Sequence, residues 1–177
     1  MRSRNKIYNA NGVYFITSTV VDWLELFNSD NSFEILADCI NFYIRKKNFK
    51  VHAYVFMKNH FHLICSGENI SKSIGSIKSF SAKKMIEKLK DENNYEVLNK
   101  LRETKKKHKT DRQFQFWQEG FYPKEVLSNG ELKQKIEYIH YNPVKKNYCA
   151  EMADWKYSSA NYYKTGIEGI IFVERII

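Results

Sequence analysis

The chain has 177 residues, of which 43% are hydrophobic and 15% aromatic, and its formal net charge is +9. Its length predicts one domain over residues 1–177, and its seven glycines and two prolines argue against a long disordered linker. The basic charge favours a polyanionic partner, with a solvated lysine-rich surface as the alternative.

Cysteine usage and hydropathy limit the compartment. Cys39, Cys65 and Cys149 are odd in number and form no C-x-x-C pair, which argues against a disulfide framework and against a zinc–thiolate site. No stretch approaches the ~20 consecutive apolar residues that a membrane-spanning helix needs. We therefore expect a cytoplasmic protein with no membrane partner.

The first half of the chain alternates strand and helix patterns. β-branched and aromatic residues alternate over residues 12–21 and predict a strand. Apolar residues at helical spacing over residues 33–44 predict a helix that starts near Ser29. Residues 50–57 and 60–65 then predict two antiparallel strands joined by a tight connection.

In the second half, residues 70–89 predict a helix with a lysine-rich outer face, and residues 93–112 a polar, basic segment. Residues 114–122 are typical of a strand and its turn. Ser128 begins a third long helix that Pro143 should end, and residues 170–173 predict a short final strand. This order indicates an α+β fold with helices packed on an antiparallel sheet.

Two histidines stand out on the third predicted strand. Residues i and i+2 of a strand face the same way, so His60 and His62 should share one face while Phe61 and Leu63 pack on the core. Two imidazoles on one face favour a metal site, but two ordinary surface histidines are the commoner outcome for an isolated H-x-H. The strand itself offers no third ligand.

The third long helix carries a tyrosine away from its apolar stripe. Leu132, Ile136 and Ile139 form that stripe, which indicates that Tyr138 points elsewhere and is free for chemistry. Asn142 lies one turn beyond Tyr138 and offers an amide oxygen that a hard metal ion accepts. A helix C-cap is its alternative role, and the two roles are compatible.

Four blocks of this sequence match a known family in order and spacing. They are Y-V-F-M-K-N-H-F-H-L-I (residues 54–64), W-Q-E-G-F-Y (117–122), Y-I-H-Y-N-P-V-K (138–145) and D-W-K-Y-S-S-A (154–160). In these blocks the chain resembles the single-tyrosine HUH transposases, and among them the REP-associated tyrosine transposases and their relatives. The resemblance implies a ferredoxin-like fold with the histidines on a central strand.

The resemblance also implies an activity. Tyr138 would be the catalytic nucleophile on a single-stranded DNA phosphodiester, leaving a 5′-phosphotyrosine link and a free 3′-OH. His60, His62 and Asn142 would hold Mg²⁺ or Mn²⁺. The expected partner is single-stranded or hairpin DNA in a bacterial, nucleoid-associated setting, and both a monomer and a homodimer remain open.

Basic segments should contact the DNA backbone, because lysine and arginine runs bind phosphates. Trp117, Phe121 and Tyr122 are candidates for base stacking or, more commonly, core packing. The candidate DNA-binding residues are Lys78, Lys83, Lys84, Lys105, Lys106, Lys107, Lys109, Arg112 and Lys145.

Three other functions compete with a DNA transesterase. One is a DNA hairpin-binding or regulatory protein derived from a transposase that no longer cleaves. Another is an RNA-binding ferredoxin-like module, which would leave the tyrosine off the apolar stripe unexplained. A replication-initiator nuclease shares the order of histidines and tyrosine, but such enzymes usually carry a helicase domain. A zinc hydrolase is disfavoured because the chain has no H-E-x-x-H motif.

Overall fold

The computed structural model describes residues 7–46 and 48–176. Its strands are β1 (Val13–Thr19), β2 (Phe49–Phe56), β3 (His60–Gly67) and β4 (Tyr122–Val126). Its α-helices are α1 (Asp30–Lys46), α2 (Ile70–Asp91), α3 (Tyr95–Glu103), α4 (Asn129–Lys145) and α5 (Ala160–Thr165). Two 3₁₀ turns, Val21–Trp23 and Met152–Asp154, complete the regular structure.

The four strands form one antiparallel sheet in the order β2-β3-β1-β4. β3, which carries both histidines, lies inside the sheet between β2 and β1. This order, with α1 between β1 and β2 and α2 after β3, is that of a ferredoxin-like fold. The predicted α+β fold is confirmed, and Pro123 lies on the edge strand β4, where a proline is tolerated.

The two faces of the sheet are covered by different helices. We call the face covered by α1 and α2 the core face. Here Ile16, Phe61 and Leu63 pack with buried residues of these two helices. The opposite one is the site face, where Phe15 and Ile64 pack against the stripe of α4 (Leu132, Ile136 and Ile139). Because strand side chains alternate, His60 and His62 lie on the site face, beneath α4.

The structure differs from the sequence expectations in four segments. Helix α3 lies inside the predicted loop: Asn94 caps its N-terminus by accepting from the Val97 N–H, and Leu98 and Leu101 are buried. The strand predicted over residues 114–122 begins only at Tyr122, since the preceding residues make a single β-bridge between Trp117 and Val20.

Pro143 lies within α4 and does not end it: the helix continues to Lys145 and the Lys146 N–H donates to the Asn142 carbonyl, although the proline gives the Ile139 carbonyl no intrahelical donor. Residues 170–173 form no strand. Ile171 and Val173 are buried, and the adjoining Glu174 ties their segment to β2: its N–H donates to the Val51 carbonyl, its carbonyl lies 2.7 Å from His52 Nδ1 and its carboxylate pairs with Lys50. Across the described helices, none is long and apolar enough to span a membrane.

Candidate active site

The β1–β3 register sets the positions of the two histidines. Thr17 pairs with His62 and Thr19 with His60, so both imidazoles stand on the same side of β3. Their ring centroids are 4.8 Å apart at an interplanar angle of 76°. The same-face arrangement predicted from the H-x-H spacing is therefore present.

Each imidazole is held through its Nδ1 atom. His62 Nδ1 lies 2.8 Å from Thr17 Oγ1, and His60 Nδ1 lies 2.6 Å from Asn59 Oδ1. An amide oxygen only accepts hydrogen bonds, so this contact places the His60 proton on Nδ1 and a lone pair on Nε2. Neither Nε2 atom has a hydrogen-bond partner within residues 7–46 and 48–176.

Burial keeps both rings neutral. It lowers the pKa of His60 to about 4, and the positive charge of Lys146 adds to this effect. The pKa of His62 falls to about 3, first because of burial and then because of the neighbouring His60 and Lys135. At neutral pH each ring therefore keeps a lone pair, the form in which imidazole coordinates a metal.

Tyr138 stands over the histidines from α4, whose first turn is capped by Ser128 accepting from the Glu131 N–H. The Tyr138 ring meets His62 edge-on, with centroids 5.8 Å apart, and Phe15 at 6.0 Å. Its side chain is 48% exposed, and in the described part of the chain its hydroxyl makes no hydrogen bond. The hydroxyl is therefore accessible to a substrate beside the two imidazoles.

Two lysines from the same helix approach this cluster, and sequence reasoning missed both. Lys135 Nζ lies 5.2 Å from the Phe15 ring centroid and 5.8 Å from that of Tyr138. Lys146 acts electrostatically on His60. Helical spacing from Tyr138 could have found them, since they lie three residues before and eight after it. Thr17 and Trp23, by contrast, give no local signal, because only strand register and loop packing bring them to the histidines.

Asn142 keeps its amide oxygen free of protein contacts. Its Nδ2 donates to the Tyr138 carbonyl at 3.1 Å, and its Oδ1 has no hydrogen-bond partner in the described residues. The donor set fits a hard or borderline divalent ion: two neutral imidazoles held through Nδ1, with an amide oxygen on the helix above. Within the described residues no group of three His, Cys, Asp or Glu side chains could hold a metal. A third protein ligand would therefore come from outside these four residue types, and the Asn142 amide oxygen is one candidate.

His140, on the same helix, has a structural position. It is buried, and its Nε2 lies 2.8 Å from Ser159 Oγ. Tyr141 is 51% exposed and, in the described part of the chain, has no ring contact with the histidines. Of the two tyrosines, Tyr138 alone stands beside the imidazole pair.

The structure disperses the candidate DNA-binding residues. Lys78 contradicts its expected role: it is buried, and its ammonium donates to the Gln118 carbonyl at 2.8 Å and to the Gly120 carbonyl. Burial lowers its pKa to about 8. This lysine fixes the segment before β4 and is not presented to a phosphate.

Several of the remaining cations are paired. Lys106 and Lys109 both contact Glu119, and together with His108 they lower the pKa of that carboxyl group. Arg112 pairs with Asp111 and Lys84 with Glu87, and Lys105 donates to the Lys109 carbonyl. Among the candidates, the exposed cations that form no ion pair within residues 7–46 and 48–176 are Lys83, Lys107 and Lys145.

Comparisons with known proteins agree with this fold. No family model matches the chain. A Haemophilus influenzae protein named "Putative REP-associated tyrosine transposase" is 24% identical over 167 residues, covering 90% of this chain and 85% of that protein. A solved structure of the REP-associated tyrosine transposase bound to a REP hairpin superposes with a TM-score of 0.68 at 20% identity, covering 100% of this chain and 99% of that one. In sequence and in fold, this chain resembles the REP-associated tyrosine transposases, as its four sequence blocks predict.

Proposed function

We propose that this protein is a metal-dependent single-stranded DNA transesterase, which cleaves and rejoins DNA near hairpins through a 5′-phosphotyrosine intermediate. The observation that carries the proposal is the accessible Tyr138 hydroxyl on a ring whose centroid lies 5.8 Å from that of His62. A tyrosine beside two neutral imidazoles is suited to phosphoryl transfer and has no evident structural role.

In the proposed step, Tyr138 Oη attacks the scissile phosphorus. The new Oη–P bond forms as the P–O3′ bond breaks; the phenol gives up its proton and the departing O3′ gains one, which leaves a free 3′-OH. The phosphotyrosine link conserves the energy of the phosphodiester, so a second 3′-OH can reverse the step and join strands without ATP. Cleavage and rejoining therefore need only one nucleophile.

His60 Nε2, His62 Nε2 and Asn142 Oδ1 would hold Mg²⁺ or Mn²⁺. When bound there, such an ion polarises a phosphate and stabilises the charge that develops in the transition state. Thr17 and Asn59 hold the two rings, and Lys135 adds a positive charge near the nucleophile. These residues would orient the phosphate for attack.

The proposed substrate is hairpin DNA with a single-stranded flank, in line with the REP hairpin bound in the structural relative. Lys83, Lys107 and Lys145, which are exposed and form no ion pair within the described residues, are the lysines that we propose as phosphate contacts, joined by Lys146, whose charge lowers the pKa of His60. Lys78 is withdrawn from this set. We keep as predictions that the metal is Mg²⁺ or Mn²⁺, that the protein forms a homodimer and that it associates with the nucleoid.

The test is a denaturing gel with labelled hairpin DNA from the flanks of the gene, in Mn²⁺, in Mg²⁺ and in EDTA. We expect an SDS-resistant protein–DNA adduct that disappears in Tyr138→Phe and in EDTA, while Tyr141→Phe, the matched control, retains it. An adduct that persists in Tyr138→Phe would overturn the assignment of the nucleophile. Salt-sensitive hairpin binding without any adduct would favour a DNA-binding protein that does not cleave.

A further inference from the structure

One exposed aromatic residue beside the site has no part in the chemistry proposed above. Trp23 is 59% exposed, whereas Trp117 is buried and Trp155 is half-buried. Tryptophan is the largest apolar side chain and normally packs against the protein. Trp23 belongs to neither hydrophobic cluster of the described residues and has one ring contact there, with His60.

The backbone that carries Trp23 is strained. Asp22 and Trp23 have φ values of 49° and 57°, so two consecutive residues occupy the left-handed region, which aspartate adopts readily but a bulky tryptophan rarely does. Such conformations persist where the surrounding structure enforces them, and they concentrate at ligand-binding sites. The turn therefore holds the indole in the solvent against both backbone preference and hydrophobic burial.

A single amide fixes this turn relative to His60. Asn59 Nδ2 donates to the Trp23 carbonyl at 3.2 Å, and Asn59 Oδ1 accepts from His60 Nδ1 at 2.6 Å. Backbone bonds from Val20 N to the Asn59 carbonyl and from Phe27 N to the Lys58 carbonyl join the same loop to the β2–β3 turn. Trp23 and His60 are thus held together by their backbone as well as by side chains.

The indole extends the row of rings that leads to the nucleophile. Its centroid lies 6.1 Å from His60 at 76°, His60 lies 4.8 Å from His62, and His62 lies 5.8 Å from Tyr138. His60 touches the indole at a steep angle and so does not stack on either of its faces. An unpaired planar group can therefore lie against the indole while an attached phosphate reaches the histidines.

We propose that Trp23 is a stacking platform for an unpaired DNA base close to the scissile phosphate. Nucleobases stack on aromatic side chains whatever their sequence, and a groove with positive charge retains the backbone between them. That charge is present: Lys146 acts on His60, and Lys58 lies in the turn next to Asn59, with Nζ 4.8 Å from the Tyr148 ring centroid. This inference rests on the proposed function only in taking the bound polymer to be DNA. It does not depend on the cleavage chemistry.

The test uses Trp23 as its own reporter, because it is the most exposed of the three tryptophans. Oligodeoxythymidylate should quench the fluorescence of the wild-type protein, and a same-length oligomer with abasic sites should bind less tightly and quench little. Trp23→Leu should weaken binding about 5- to 100-fold by fluorescence anisotropy, as expected for one lost stacked base. The salt dependence of binding should not change, since no phosphate contact is removed.

Two further variants keep the result interpretable. Trp23→Asn removes the ring but suits the left-handed backbone, so it should weaken binding as Trp23→Leu does without loss of stability. Phe80→Leu, which removes an exposed aromatic ring from α2 on the opposite side of the sheet, should bind as the wild type does.

Wild-type affinity in Trp23→Leu and Trp23→Asn, or equal quenching by the abasic oligomer, would overturn the inference. If these variants bound DNA as the wild type does and formed the Tyr138 adduct, the inference would fail while the proposed function stood. If they lost base-dependent binding in a protein that never forms an adduct, the stacking site would stand and the cleavage chemistry would fail.

Discussion

The two faces of the sheet are built for different purposes. On the core face, apolar side chains of β1–β3 interdigitate with α1 and α2 in a cluster that contains most of the buried apolar residues in the described part of the chain. On the site face, a smaller cluster beneath α4 shares the sheet with His60, His62 and Thr17. The core face thus provides stability and the site face carries the proposed chemistry. Consecutive residues of β3 point alternately to these two faces.

Substitutions at two adjacent residues of β3, Phe61 and His62, have the largest expected effects. Phe61, fully buried on the core face, contacts Phe56 and Trp117, and Phe61→Ala should lower the free energy of unfolding by about 3–5 kcal/mol. The adjacent His62→Gln should change stability by less than about 1.5 kcal/mol, the usual size of one net hydrogen bond, yet abolish the adduct. Urea unfolding together with the denaturing gel separates the two. Similar stability losses in both variants would break the division between faces.

Acid pH should lower the free energy of unfolding through His140, which lies on α4. Burial lowers the pKa of His140 to about 4, whereas the unfolded chain has a value near 6.5. The stability that its neutral form contributes is complete above pH 6.5 and is lost as the pH falls towards 4. At pH 5 the loss is up to about 2 kcal/mol for this residue.

Unfolding at pH 7 and pH 5 measures this effect, with His140→Gln as the comparison. Glutamine can retain a hydrogen bond to Ser159 but does not titrate, so the variant should lose less stability between the two pH values. An unchanged pH dependence in His140→Gln would remove this residue from the explanation.

Thr17 should matter for metal use although it is not a proposed ligand. Thr17→Val keeps the shape of the side chain and removes the hydroxyl 2.8 Å from His62 Nδ1. We expect the Mn²⁺ concentration needed for half-maximal adduct formation to rise about 10- to 100-fold, the usual cost of losing a group that orients a metal-binding histidine. Thr19→Val, opposite His60 in the same strand, is the matched control. An equal effect in both variants would point to general damage to β1.

The smallest predicted effect concerns Lys135. Lys135→Gln should slow adduct formation about 3- to 10-fold, because one partly screened positive charge near the nucleophile is lost. Lys133→Gln changes the net charge equally, from an exposed position two residues away on the same helix, and should have little effect. Equal slowing in both variants would assign the effect to overall charge and not to the position of Lys135.

Periodicity explains what the sequence could predict. Alternation put His60 and His62 on one face, and the apolar stripe of α4 left Tyr138 outside it, because both patterns depend only on local geometry. Periodicity does not predict how side chains from different elements pack against one another. Nothing near Tyr138 says that its ring meets His62, and nothing near Lys78 says that its ammonium is buried against the Gln118 carbonyl.

Two misplaced elements have similar physical causes. α3 is short and four of its nine residues are charged, so the pattern of its two buried leucines is outweighed by the polar residues around them. Residues 114–121 have the composition of a strand, but their aromatic side chains fill the core beside α2 without a continuous ladder. The composition of this segment correctly predicts that its side chains are buried, but it wrongly predicts the hydrogen bonds of a continuous strand.

The pairing of Thr17 with His62 has a consequence for how the chain tolerates insertions. Adding one residue to β3 between His62 and Leu63, with the rest of the strand kept in register, would turn both histidines into the apolar core, while Phe61 would face α4. The fold would lose its packing and its site at once. An insertion of the same size between α3 and β4 would disturb neither ladder. Length variation in descendants of this chain should therefore accumulate in that connection and be absent from β1 and β3.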